Sequence, residues 1–164
     1  MTENSRAKKR TVYLDATIFS YLYDQRPVLR FQSETTRRWW KTERPKFDVL
    51  TSRDTLEELS SGNYTHKQST LMTAHKVKLL PFIERVVTAA GIYVQEFVMP
   101  RKLTGDAMHL AYASVYDVDY LLTWNCNHLA NASKTKHIQL VNERLGLHTP
   151  WLVTPMQLFE EEKA

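Results

Sequence analysis

Apolar residues in this chain come in short runs, each followed by a longer stretch with helical spacing. "TVYLD" (11–15) is short, apolar and rich in β-formers, which predicts a buried strand. "TIFSYLYD" begins a helix, and "VLRFQSETTRRWWKTER" reads as a longer one with Val28, Leu29, Phe31, Trp39 and Trp40 as core contacts. "FDVLTS" (47–52) predicts a second strand, and "RDTLEELSSG" a helix closed by Gly62. "THKQSTLMTAHKVKLL" is helical, "LLPFI" a short third strand, and a helix around 84–97 leads to the break "VMPRKLTG". "DAMHLAYASVYD" is a strong helix and "VDYLLTW" (118–124) the clearest strand. "KTKHIQLVNERLG" is helical and "PWLVTP" a last strand. "TPMQLFEEE" reads as a terminal helix with Thr154 as N-cap and Pro155 in its first turn.

Strand and helix alternate throughout, which argues for a parallel sheet covered by helices. The expected architecture is three-layer α/β/α, with a central parallel sheet of four to five strands in one domain over residues 11–164. Sites in such sheets form outside the carboxyl ends of the strands, near the point where strand order reverses.

Composition narrows this picture without changing it. With 164 residues, 43% hydrophobic and 24% charged, the chain has the make-up of a globular protein with an ordinary core. No apolar stretch approaches the ~20 residues of a membrane helix, and there is no apolar signal segment, so a cytoplasmic protein is expected. One cysteine, Cys126, excludes an internal disulfide and fits a reducing compartment. The glycosylation patterns at Asn63 and Asn131 then read as chance. Net charge is +4, and the tail "MTENSRAKKR" accounts for +3 of it. That tail (1–10) reads as disordered. A second basic cluster comprises Arg37, Arg38, Lys41, Arg44 and Lys46. Such clusters suit a polyanionic partner, but each alone is equally a solvated surface.

Four polar residues sit where the predicted topology would gather them. Asp15 ends the first strand, Glu58 lies on the helix after the second, Asp106 opens a helix, and Asn125 follows the strand "DYLLT". Each has an ordinary alternative as a cap or turn residue, and Glu57 competes with Glu58. Gathered carboxylates repel unless a cation joins them. Oxygen donors without a Cys/His cluster point to Mg²⁺ or Mn²⁺ rather than zinc. His109 and His128 read as core or surface histidines, Cys126 as a small packed residue, and Trp39–Trp40 as core and helix contact.

Together these pieces resemble the PIN-domain family, in particular the VapC-like toxins of bacterial toxin–antitoxin systems. "YLDATIFSYL" matches its opening motif, with Asp15 and Thr17 at the polar positions. Ser52, Glu58, Leu59 and Gly62 match the second motif, which selects Glu58 over Glu57. "GDAMHLAYA" from Asp106 matches the third. "YLLTWN" matches the fourth, with Asn125 where the family has an acid. "LLTWN", the following "HLAN" and the late "TP" also match a subgroup, and the likeness spans about residues 11 to 159.

The resemblance implies a metal-dependent endoribonuclease with Asp15 as central ligand. Asp106 and Glu58 would complete the acidic cluster, with Thr17 bonded to a ligand carboxylate or metal water. Asn125 would donate to a phosphate or orient water without adding charge, a departure that disfavours a second tightly held metal and makes Asn125→Asp tolerable. The implied partners are RNA, a small antitoxin and a second copy of the chain. Two other readings compete. A haloacid-dehalogenase-type phosphatase would use Asp15 as nucleophile, but needs a second aspartate where Thr17 stands. A PIN-like module that binds RNA or protein without cutting is favoured by Asn125 and opposed by the three retained acids.

Overall fold

The computed structural model describes residues 8–96, 98–99 and 105–160. Its strands are Thr11–Leu14 (β1), Asp48–Thr51 (β2), Lys78–Leu79 (β3), Tyr120–Leu122 (β4) and Trp151–Val153 (β5). All four pairings are parallel, in the order β3-β2-β1-β4-β5. The first strand is thus central, and strand order reverses between β1 and β4. The helices are Ala16–Tyr23 (α1), Arg30–Thr42 (α2), Arg53–Ser60 (α3), Lys67–Ala74 (α4), Glu84–Gln95 (α5), Gly105–Val115 (α6) and Ala132–Leu145 (α7).

Alternation along β1 divides the core in two, because successive strand side chains point to opposite faces. Val12 and Leu14 pack with Ile18 and Phe19 of α1 and Trp39 of α2. Tyr13 packs on the other face with Ala90 and Tyr93 of α5, Leu110 and Ala111 of α6, and Ile138 of α7. This is a three-layer α/β/α arrangement. Helix α6 is buried continuously from Ala107 to Ser114, so it is an interior helix with mostly apolar residues around its whole circumference and His109 and Ser114 as its buried polar members.

Four local expectations need correction. Val28 and Phe31 are not core: they are 82% and 59% exposed, and α2 turns Ser33, Thr36 and Trp39 inward instead. These three are spaced by three residues, and two are small and polar, so counting apolar residues selects the wrong face. The third strand is Lys78–Leu79 rather than "LLPFI"; Pro81 lacks the N–H a continuing ladder needs. Strand β4 is shorter than 118–124, spanning only Tyr120–Leu122. The "TP" segment forms a 3₁₀ turn at Pro155–Gln157, not an α-helix, although Thr154 does cap it, in a reciprocal box with Gln157. The tail's expected disorder concerns residues 1–7, which lie outside the described residues, as do 100–104 of the "VMPRKLTG" break.

Candidate active site

Asp15 follows β1 directly and is 2% exposed. Its Oδ1 accepts from the Thr17 N–H at 3.0 Å and the Thr17 hydroxyl at 2.5 Å, which makes it the N-cap of α1. Capping explains that oxygen but not the other. Oδ2 accepts from the Thr123 hydroxyl at 2.5 Å, from the strand end across the reversal point. The Thr17 hydroxyl also accepts from the Trp124 N–H at 2.9 Å, and Thr123 Oγ1 from the Asn125 N–H at 2.9 Å. The ends of β1 and β4 are stitched together around one carboxylate.

Asn125 sits on that second strand end. Its Oδ1 accepts from the backbone N–H groups of Asn127 and His128, at 3.2 and 3.1 Å. Its Nδ2 donates to Asp106 Oδ2 at 2.8 Å. Cys126, next to it, is exposed rather than packed.

Glu58 reaches the same neighbourhood from α3. Its Oε1 lies 2.8 Å from His109 Nε2, an ion-pair separation, although the ring N–H is off the hydrogen-bonding direction. His109 is 1% exposed. Its Nδ1 is 2.6 Å from the Tyr13 hydroxyl, which also meets Ser52 Oγ at 2.7 Å and Thr55 Oγ1 at 3.3 Å. Ser52 therefore serves Tyr13 rather than capping α3 with its side chain. Gly105 gives Glu58 its room: a Cβ there would fall 1.7 Å from Glu58 Oε1. Glu57 is exposed and makes none of these contacts.

The electrostatics follow from crowding. Burial pushes the Asp15 carboxyl above its ordinary value, and Asp106 adds to the rise, against the pull of His109, Thr123 and Thr17. Burial also raises Asp106, assisted by Glu58 and opposed by His109, His128 and the Asn125 amide. Burial disfavours the His109 cation, yet Glu58, Asp15 and Asp106 together hold its pKa above the usual imidazole value. Burial raises the Tyr13 hydroxyl strongly, so it stays protonated. The acidic neighbours of His109 thus pull it towards its protonated form.

The structure brings Asp15, Asp106, Glu58 and Asn125 into one neighbourhood, with Thr17 bonded to Asp15. Among the described residues, however, no three acid, histidine or cysteine side chains are gathered closely enough to hold one ion as they stand. The donor chemistry still suits a hard cation: the acids are oxygen donors that raise one another's pKa, and an added charge would relieve that repulsion. A cavity of about 830 Å³ opens beside Glu58, lined also by Ala16, Arg26, Tyr64 and His66.

Sequence reasoning missed Tyr13, Thr123 and Gly105 and read His109 as merely structural. One signal was available: His109 stands three residues after Asp106, on the same face of a helix.

No protein-family model matches the chain, and no curated protein matches it. Among solved structures of similar fold is a chain of a toxin–antitoxin complex from Klebsiella pneumoniae. It is 20% identical, with 75% of this chain and 93% of that chain covered, at a TM-score of 0.53. Another is VapBC-1 from nontypeable Haemophilus influenzae, 19% identical, with 86% and 96% covered and a TM-score of 0.50. The likeness is one of fold, and that fold is PIN-like.

Proposed function

We propose that the chain is a VapC-like toxin, an endoribonuclease that requires Mg²⁺ or Mn²⁺ and is restrained by a small antitoxin. The observation that carries this reading is the grouping of Asp15, Asp106 and Glu58 around buried His109, where strand order reverses. Solved proteins of this fold are described as a toxin–antitoxin complex and as VapBC-1, which supports the toxin role and the antitoxin. A homodimer acting on cytoplasmic RNA belongs to the same reading.

Asp15, Asp106 and Glu58 would hold the divalent ion, which when bound supplies charge neutralisation at phosphate and an activated water. The chain's own residues do the positioning. Thr17 and Thr123 occupy both oxygens of Asp15, so its plane is fixed before substrate arrives. Asn125 holds Asp106 by a donor rather than by charge. His109 keeps a proton near Glu58, and Tyr13 fixes the ring's orientation. The cavity leading from Glu58 towards Arg26 gives an RNA strand a route to these groups.

The binding-module reading keeps one specific support, the Asn125 amide in place of a fourth acid. The test is cleavage of a labelled RNA with Mg²⁺ or Mn²⁺, with and without EDTA, by the native chain and Asp15→Asn. Metal-dependent cleavage that Asp15→Asn abolishes while its circular dichroism is unchanged is the expected result. Cleavage indifferent to both treatments overturns the mechanism, and RNA binding without cleavage under either metal hands the case to the binding module.

A further inference from the structure

One residue of each basic cluster in the sequence, Lys9 and Arg44, lies at the end of the sheet opposite the acids. Lys9 Nζ donates to the Pro45 carbonyl at 3.0 Å, which fastens the tail against the turn bearing Arg44. Lys9 and Arg44 share the wall of a cavity of about 270 Å³ with Lys76 and Lys78, which precede and begin β3. Asp48 is the only acid on that wall. Lys46, nearby, is neutralised by Glu43 and Glu160. Lys9, Arg44, Lys76 and Lys78 have no acidic partner within ion-pair distance among the described residues.

Arg44 carries a second signal. Its guanidinium lies 4.5 Å from the centre of the Trp40 ring, which holds the group's plane. Its Nε is buried and has no hydrogen-bond partner among the described residues. A buried donor of this kind is costly to leave unmet and calls for a water or a bound group. Four cations against one acid also repel one another unless an anion lies among them. An oriented guanidinium flanked by ammonium groups is a donor set that recognises phosphate.

We infer that this cavity is a second nucleic-acid contact, which grips the phosphate backbone of RNA away from the cleavage centre. This rests on the reading that the chain acts on RNA. Strand β1 alone separates the two ends by about 13 Å, at roughly 3.3 Å per residue. A substrate touching both must therefore extend well beyond the nucleotides at the scissile bond, and very short RNAs reach only the acids.

The experiment measures binding of the full chain to a labelled single-stranded RNA in EDTA across a range of salt, so that no cleavage is needed. Lys76→Ser/Lys78→Ser removes two exposed charges, and Lys9→Ser independently removes a third. Each lost phosphate contact lowers the slope of log affinity against log salt by about 0.7. The double variant should thus lose about 1.4 and the single variant about 0.7. In cleavage assays the double variant should raise KM for a long RNA at constant kcat and leave a dinucleotide unaffected. Unchanged affinity and slope in both variants overturn the proposal. So does loss of binding to phosphatidylserine vesicles with RNA binding intact, which would make the patch a membrane contact. If the native chain binds RNA with the predicted slopes but never cuts it, the nuclease reading fails and this one stands.

Discussion

Asn125 Nδ2 donates to Asp106 Oδ2 at 2.8 Å, while Asn125 Oδ1 is held by the N–H groups of Asn127 and His128. The two backbone donors decide which end of the amide faces Asp106, so the side chain cannot turn over without breaking both bonds. Asn125 is therefore a neutral donor to a buried-side carboxylate. The sequence suggests that an acid here would be tolerated; set against Asp106, that acid would repel unless a cation joined the pair.

Asn125→Asp keeps the oxygen that caps the following turn but places a second carboxylate against Asp106. The metal-free variant should be less stable by about 1–3 kcal/mol, the scale of leaving a buried partner unmet. Added Mn²⁺ should recover more stability in the variant than in the native chain. Thermal melts in EDTA and in Mn²⁺ read both; identical melts in EDTA would show that the amide's donation does not matter.

Gly105→Ala separates site geometry from folding. The clash falls on the end of the flexible Glu58 side chain, so Glu58 moves and the backbone does not. Alanine favours a helix over glycine by about 1 kcal/mol at interior positions, so stability should hold or rise slightly. Cleavage should fall and Mn²⁺ should bind more weakly. A variant of full activity would mean that Glu58 acts from some other position.

Tyr13→Phe tests the support behind Glu58. Removing the hydroxyl leaves His109 Nδ1 and Ser52 Oγ without the contact they share, at about 1–3 kcal/mol. Loss of such a supporting partner usually weakens metal binding about 10- to 100-fold. Titration with Mn²⁺ checks this, and a merely structural tyrosine would lower the melting temperature without moving the metal affinity of the folded protein.

Stability of the metal-free chain should fall as pH rises. Folded Asp15 and Asp106 have pKa values raised above the ~3.9 of an unfolded aspartate, first through burial. The stability linked to their protonation is complete below that value and is lost as pH rises through the folded values. His109, raised by its acidic neighbours despite burial, follows the same sign from its unfolded value of ~6.5 upward. Asp24 is lowered by Arg26 and acts oppositely, but only in acid. Melts in EDTA should therefore decline from pH 6.5 to 8.5, and His109→Gln should flatten that decline. A melting temperature that rises over this range would contradict the assignment.

The sheet and the positions of Asp15 and Asn125 are legible because each depends on a local signal, whereas only the family resemblance separates Glu58 from Glu57. An apolar β-rich run closed by Asp15, and a strong strand closed by Asn125, mark strand ends whatever the rest of the chain does. Their supports were not legible, since Tyr13, Thr123 and His109 act across 96 to 108 residues of sequence. Tyr13 looks like any strand aromatic until His109 is placed beside it. Val28 and Phe31 misled because apolar character alone does not say which face of α2 turns inward, and there the inner face is partly Ser33 and Thr36.

The central position of β1 has a consequence for when the site comes into being. The Asp15 carboxylate depends on Thr123, 108 residues further along the chain. At about 5–20 residues per second of synthesis, roughly 5 to 20 s separate the two. Early pairing of β1 with β2 leaves the other edge of β1 open throughout that interval. A ribosome making this chain therefore carries no assembled acidic centre until three-quarters of it is translated.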